Sequence, residues 1–301
     1  MNKPQQALIF AASAVLCWST VPTAFKLALR TLAPAQLIWI ASGVSVVFLF
    51  GYLLASRQLH LLKATSGREL LHSALLGALN PFVYYLVLLK AYSLLPAQLA
   101  QPLNMVWPIA LALLSIPLLK QKIGWRHFSA MFISFAGVVV ISSQGGITGF
   151  GETSLTGVAL ALGSSILWAL YWILNVRDQR PEALKLFLGF CFGFLYLTLT
   201  LLFLSGFTFR WNESTAAAIY TGFFEVGIAY LLWMKAMQSS RNNATIGNLV
   251  FATPFISLIF ISIFLKEKIF LTTFIGLLLI VGGILLQQLA EKKYRHGNHN
   301  A

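Results

Sequence analysis

The sequence predicts an all-α integral membrane protein, with ten transmembrane helices arranged as two inverted-topology five-helix repeats. Three observations lead there. Of 301 residues, 58% are hydrophobic and only 10% charged, against about 25% charged in ordinary soluble domains. Apolar windows of roughly 20 residues, the length needed to cross a hydrocarbon core about 30 Å thick, recur ten times. The first half of the chain also matches the second.

The windows fall at residues 6–28, 34–55, 69–91, 96–119, 123–142, 154–176, 183–205, 214–236, 242–265 and 270–290. Their breaks have local causes. Pro34 and Pro96 suit first helical turns, and Gly145, Gly146, Gly149 and Gly151 fill the one glycine-rich connector. This divides the chain into a first five-helix repeat (1–142), a Gly-rich connector (143–153), a second five-helix repeat (154–290) and a basic cytoplasmic tail (291–301). The connector's GGITGFGE lacks the lysine and the strand-to-helix setting of a phosphate loop and reads as a flexible linker. The first window, continuing through Trp18 to about Leu29, is too long for a cleaved secretory core and reads as a retained span.

A formal charge of +13 would suggest nucleic acid in a soluble protein. Here the bases sit in short loops, where they face anionic headgroups and set orientation, so no nucleic-acid partner is expected. With the N-terminus inside, the cytoplasmic face collects Lys3, Arg57, Lys63, Arg68, Lys120, Lys122, Arg126, Arg177, Arg180, Lys185, Lys235, Arg241, Lys292, Lys293 and Arg295. The opposite face collects Lys26, Arg30, Lys90, Arg210, Lys266 and Lys268. That excess places both termini in the cytoplasm. Cys17 and Cys191 lie in apolar stretches, and His60, His72, His127, His296 and His299 show no ligand spacing, so neither a metal nor a cofactor is expected.

Shifting the chain by about 145 to 150 residues brings the halves into register. Trp18 meets Trp168. Gly77, Tyr85 and Lys90-Ala91 meet Gly222, Tyr230 and Lys235-Ala236. Pro108 meets Pro254, and the LKQKI beginning at Leu119 meets the LKEKI beginning at Leu265. Each half has five spans, an odd number, so the second half enters the bilayer in the opposite sense. Two exchangeable, inverted halves are a recurring way to build outward-open and inward-open states around a midplane site.

Nearly the whole chain resembles the drug/metabolite transporter superfamily, in its EamA-like branch. The resemblance rests on the ten spans, the tryptophans of CWST and LWAL, and the blocks KAYSLLPAQLAQPLNMVWPIALALL and KAMQSSRNNATIGNLVFATPFISLIF. The closing KEKIFLTTFIGLLLIVGGILL is the most specific match. Gln121 in LKQKIGWRHF departs from the pattern, standing where such families carry an acid. The resemblance implies a secondary transporter, an exporter or permease of small organic metabolites, in a bacterial inner (cytoplasmic) membrane.

Ionisable groups at bilayer depth cost roughly 2.5 to 3.5 kcal/mol to insert and are functional candidates by default. Of eight acids only Glu225 lies mid-span, on a stripe with Ala218, Gly222 and Ala229. In the first repeat the stripe reads Ser73, Gly77, Asn80 and Tyr84, which makes Asn80 the mate of Glu225. The two are expected to meet near the midplane, with Glu225 as the coupling carboxylate, binding protons or a cation. The alternative is a glutamate that only ties spans together. Gln98, Gln101, Asn104 and Pro108 form a polar ridge beside Trp107, mirrored by Thr245, Asn248 and Pro254. These amides either line a cavity or bond between helices. Trp18, Trp168 and Trp172 sit inside spans rather than at headgroup depth, as packing or as aromatic walls for amino-acid-like, aromatic or cationic solutes. Tyr84 and Tyr230 complete the expected pathway set. Lys90 and Lys235, near span ends, are expected to snorkel, and Asn175 to cap a helix end.

No nucleotide-binding motif is present, so transport would run by alternating access on an ion gradient, protons among the candidates, or on the solute's own gradient. The expected partners are the lipid bilayer, a small-molecule substrate and protons, in a monomer or homodimer. An intramembrane enzyme or lipid-modifying protein would need more buried acids, histidines or a serine–base pair than this sequence carries. A non-transporting membrane sensor would leave the inverted repeat without a purpose.

Overall fold

The structure, a computed structural model, describes residues 3–119, 125–145, 153–175, 177–205, 210–240, 246 and 249–298. Asn248, Thr245, Gln121 and most of the Gly-rich connector lie outside the described residues.

All regular structure among the described residues is helical. The helices are α1 (Lys3–Ala28), α2 (Pro34–Ala55), α3 (His60–Ala64), α4 (Gly67–Gly77), α5 (Tyr84–Leu94), α6 (Ala97–Asn104), α7 (Trp107–Leu119) and α8 (Trp125–Ser142). They continue as α9 (Leu155–Asn175), α10 (Glu182–Thr200), α11 (Glu213–Thr221), α12 (Ile228–Ser239), α13 (Thr253–Phe260) and α14 (Leu271–Asn298). Seven runs are long and apolar enough to cross a bilayer: Gln5–Ala28, Pro34–Ala55, Gly67–Leu94, Ala97–Leu118, Leu155–Asn175, Glu182–Phe203 and Glu213–Ser239. Three shorter apolar helices, Met131–Ser142, Leu249–Leu265 and Leu271–Leu286, occupy the other expected windows. The chain is a multi-pass membrane protein. Its outward faces are oily, with Phe203 80% exposed and Val47 73% exposed, as a lipid-facing surface requires.

Span starts follow local chemistry. Pro34 occupies the first turn of α2. Ser66 and Glu69 form a capping box at the start of α4, the Ser66 N–H donating to Glu69 Oε2 at 2.7 Å. Asn212 caps α11 by accepting from the Thr215 N–H at 3.0 Å.

Helix continuity differs from the sequence expectation at two places. The windows 96–119 and 242–265 place Pro108 and Pro254 inside spans, but each proline lies in the first turn of a new helix. α6 ends at Asn104 and α7 restarts at Trp107, while a 3₁₀ turn, Leu249–Ala252, precedes α13. Proline is tolerated in a first turn, where no amide is owed to the preceding turn. The Glu225 stripe is likewise not one regular α-helix. A π-helical segment, Gly222–Gly227, separates α11 from α12, and its mate, Ala78–Val83, separates α4 from α5. In the first segment Pro81 has no N–H to give, and Asn80 leaves helical geometry at φ −144°, ψ 118°.

Packing joins the two halves throughout. α1 lies against α11, α12 and α13, and α9 against α5, α6 and α7. α2 packs on α10 and on the Gly222–Gly227 segment, while α10 packs on α4 and the Ala78–Val83 segment. α8 and α14 pair most extensively. Their backbones meet at Gly137 and Gly276, where a Cβ on either would strike the other's carbonyl oxygen.

Candidate functional site

The two π-helical segments create the site. A widened turn leaves carbonyls without an intrahelical donor, which apolar surroundings do not tolerate. In Gly222–Gly227 the donors come from other spans: Ser45 Oγ to the Gly222 carbonyl at 2.9 Å, and Trp18 Nε1 to the Glu225 carbonyl at 3.0 Å. The Glu225 side chain is thereby fixed at its backbone, and its Oε1 accepts from the Tyr85 hydroxyl at 2.8 Å. Tyr85 follows the Asn80 break, so one interruption supplies the donor and the other the acceptor.

Asn80 is buried at 4% exposure, and its Oδ1 has no hydrogen-bond partner among the described residues. The hydrogen bond that the first repeat gives the Glu225 side chain comes from Tyr85, five positions beyond Asn80 along the same span.

From Tyr85 an aromatic track runs through the first repeat and into α9. Tyr84 packs edge-on to Tyr85, with ring centres 4.8 Å apart, and against Trp168 at 4.9 Å. Trp168 stacks on Tyr171 at 5.6 Å and meets Trp172 edge-on at 6.1 Å, and Trp172 stacks at 6.5 Å on Trp107 at the start of α7. Trp107, Trp168 and Trp172 are partly accessible, whereas Tyr84 and Tyr85 are buried. The indole N–H of Trp172 has no partner among the described residues.

The amide ridge divides into two kinds. Gln98 is fully used between helices, donating to the Lys268 carbonyl at 2.7 Å and accepting from Thr273 Oγ1 at 2.9 Å. Gln101 donates to Ser257 Oγ at 2.8 Å, but its buried Oε1 has no partner among the described residues. Asn104 donates to Ser164 Oγ at 2.8 Å and accepts from the Tyr84 hydroxyl at 3.4 Å, which places it beside the track. Ser164 and Ser257 pass these bonds on to carbonyls of their own helices.

Trp18 and Tyr230 stand apart from the track. Trp18 meets Tyr230 edge-on at 6.0 Å and Trp233 at 5.3 Å, on the α1–α12 face. Its indole N–H serves the Glu225 backbone. Lys90 and Lys235 are exposed, as snorkelling requires, and Lys235 lies 5.8 Å over the Phe10 ring. No group of three or more metal-ligating side chains occurs among the described residues.

Sequence reasoning did not assign Tyr85, Tyr171 or Ser164 to the site. Tyr85 carried a signal, its match with Tyr230 in the repeat. Tyr171 lies one helical turn from Trp168, on the same face of α9.

The EamA-like transporter family model matches residues 5–143 and again 155–287. An uncharacterized transporter of Archaeoglobus fulgidus is 27% identical over 293 residues, covering 95% of this chain and 98% of that protein. The uncharacterized transporter YvbV of Bacillus subtilis is 30% identical over 230 residues, covering 71% and 70%. The aromatic amino acid exporter YddG of Ancylobacter novellus is 24% identical over 178 residues, covering 58% and 61%. A protein of known crystal structure shares the fold at TM-score 0.66 with 22% identity, over 96% of this chain and 98% of that one. With both halves matched, the chain belongs to the EamA-like transporter family.

Proposed function

We propose that this chain is a secondary transporter that moves small organic solutes by alternating access between two inverted five-helix halves. In this reading the ten apolar windows are ten spans, both termini lie in the cytoplasm, and the chain sits in a bacterial inner membrane. The solutes are amino-acid-like, with aromatic or cationic groups suited to stacking and cation–π contact. The carrying observation is the Tyr85–Glu225 bond, because it joins the two helix interruptions that the repeat relates to one another.

The reading assigns three roles. Trp107, Trp168 and Trp172 form the wall on which the solute stacks. Asn104, Gln101 and Asn80 supply amide groups along it, the last two with buried oxygens still unsatisfied among the described residues. Glu225 carries the coupling ion, and its release from Tyr85 accompanies the change of state. The YddG relative's substrates make aromatic amino acids the first solutes to try.

The test is flux in proteoliposomes. Uptake or release of radiolabelled tryptophan, phenylalanine and a quaternary ammonium solute is measured with and without an imposed proton gradient. Saturable flux in the purified protein, abolished in a Trp168→Ala variant that elutes normally, is the expected result. Flux no greater than in protein-free vesicles across all of these solutes and a broader amino-acid pool would sink the proposal.

A further inference from the structure

The hairpin between the Gly67–Leu94 and Ala97–Leu118 spans is closed by two side chains of opposite charge. α5 ends there and presents its carbonyls, and Lys26 Nζ donates to the Tyr92 and Leu95 oxygens, both at 3.0 Å. α6 begins there and presents its amides, and the Glu267 carboxylate accepts from the Ala97 N–H at 2.9 Å and the Gln98 N–H at 3.2 Å. A cation at a helix C-terminus and an anion at an N-terminus each match the sign of the local backbone charge.

The two caps come from different places. Lys26 belongs to α1 of the same half, while Glu267 belongs to the segment just before α14, in the other half. Lys266 makes the approach possible, since its left-handed backbone at φ 56° ends the preceding helix and turns the chain toward α6. Gln98 doubles the joint through its bonds to the Lys268 carbonyl and Thr273 Oγ1. Four hydrogen bonds therefore tie the start of α6 to the segment from Glu267 to Thr273, across the two halves.

We propose that Glu267, seconded by Gln98, is the latch that keeps this end of the transport pathway closed. Opening at this end requires the carboxylate to leave the Ala97 and Gln98 amides. The proposal rests on the alternating-access reading above. The repeat adds an asymmetry. The position that corresponds to Glu267 in LKQKI is Gln121, whose placement lies outside the described residues. A neutral amide brings no anion to a helix N-terminus, so at this position the repeat supplies a carboxylate in the second half only. The state closed at the Glu267 end is then the preferred resting state.

The test reads accessibility without any solute. A cysteine is introduced at Ala100, fully buried one turn below the latch, in a chain whose Cys17 and Cys191 are alanine. Its reaction with a membrane-impermeant maleimide is timed from each face of sealed vesicles. Labelling is expected to be slow in the parent. In Glu267→Ala it should be faster by about five- to tenfold, the effect of losing roughly 1 kcal/mol or more of hydrogen bonding, and from one face only. Gln98→Ala should show a smaller rise. Where Glu267→Ala does not elute as a single species, Glu267→Gln, with nearly the same volume, takes its place. An unchanged rate in a well-folded Glu267 variant overturns the latch, as does an equal rise from both faces. Faster labelling in a chain that moves no solute would uphold the latch and count against transport alone.

Discussion

The Tyr85 hydroxyl donates to Glu225 Oε1 at 2.8 Å, joining residues 140 positions apart and in different halves of the chain. The same glutamate receives the Trp18 indole on its carbonyl. Its backbone is therefore held by α1 and its side chain by the span that follows Asn80. In the transport reading proposed above, relative movement of the halves would stretch or break the Tyr85 bond, and an ion bound at Glu225 would compete with it.

Glu225→Gln and Tyr85→Phe separate these two aspects. Glu225→Gln keeps a hydrogen-bond acceptor for Tyr85 but removes the charge. Flux driven by a proton gradient is expected to vanish, while exchange of solute down its own gradient survives. Tyr85→Phe removes the donor and leaves the ring. A hydrogen bond to a charged group is worth about 1.5–3 kcal/mol, so driven flux should fall by about tenfold or more, with the elution profile unchanged. Full proton-driven flux in Glu225→Gln would end the coupling role.

Trp172 tests the aromatic wall. Its ring stacks on Trp107, while its N–H has no partner among the described residues. Trp172→Phe keeps most of the stacking surface and deletes the donor. For a solute with an acceptor group, KM should rise by about fivefold, the effect of a hydrogen bond worth about 1 kcal/mol. A solute lacking the acceptor should be indifferent. Comparing a carboxylate-bearing aromatic solute with its decarboxylated amine makes the measurement.

The spans were legible in the sequence because bilayer depth demands long apolar windows, and the breaks carry proline or glycine. Pro34 marks a span start that the structure repeats. The interruption at Asn80 also has a sequence sign in Pro81. The one at Gly222–Gly227 has no proline, only two glycines that a packed span tolerates, and its spare carbonyls are met by Ser45 and Trp18 from other spans. That is a tertiary fact, invisible to any local window. For the same reason the donor role of the Trp18 indole could not be read from the sequence, which left the ring as packing or an aromatic wall. Tyr85 was marked only by its match with Tyr230 in the repeat, because a hydroxyl shows its use only beside a partner. Gln98 and Gln101 were indistinguishable in sequence, and only the neighbours on α13 and α14 separate a satisfied amide from a half-satisfied one.

Gly137 and Gly276 carry the closest approach of α8 and α14. A methyl group at Gly137 would lie 2.6 Å from the Gly276 carbonyl oxygen, and one at Gly276 2.7 Å from that of Gly137. Overpacking of this kind costs about 1–3 kcal/mol, so Gly137→Ala should lower the apparent Tm of the detergent-solubilised protein by about 2–10 °C. Gly282→Ala on α14 is the control, because a Cβ there meets nothing within 4 Å. Equal Tm values for the two variants would mean that the helices are not packed backbone to backbone.

Asp178, in the turn between α9 and α10, gives the chain a pH signature outside the membrane-spanning segments. Burial acts to raise its pKa, but the Arg180 guanidinium, with contacts at 2.6, 3.0 and 3.1 Å, outweighs it and holds the carboxyl below the usual aspartate range. Arg180 in turn donates to Ser73 Oγ at 2.8 Å, tying this turn to α4. A carboxyl with a depressed folded-state pKa contributes stability above its unfolded value of about 3.9. It loses that contribution as pH falls through the lower folded value. Asp178→Asn is therefore expected to cost about 1–3 kcal/mol at pH 7 and progressively less below pH ~3.9. Thermal unfolding of parent and variant at pH 7 and at the lowest pH that both tolerate in detergent makes the comparison. A Tm difference that stays constant, or grows on acidification, would show that the Asp178–Arg180 pair does not hold this turn to α4.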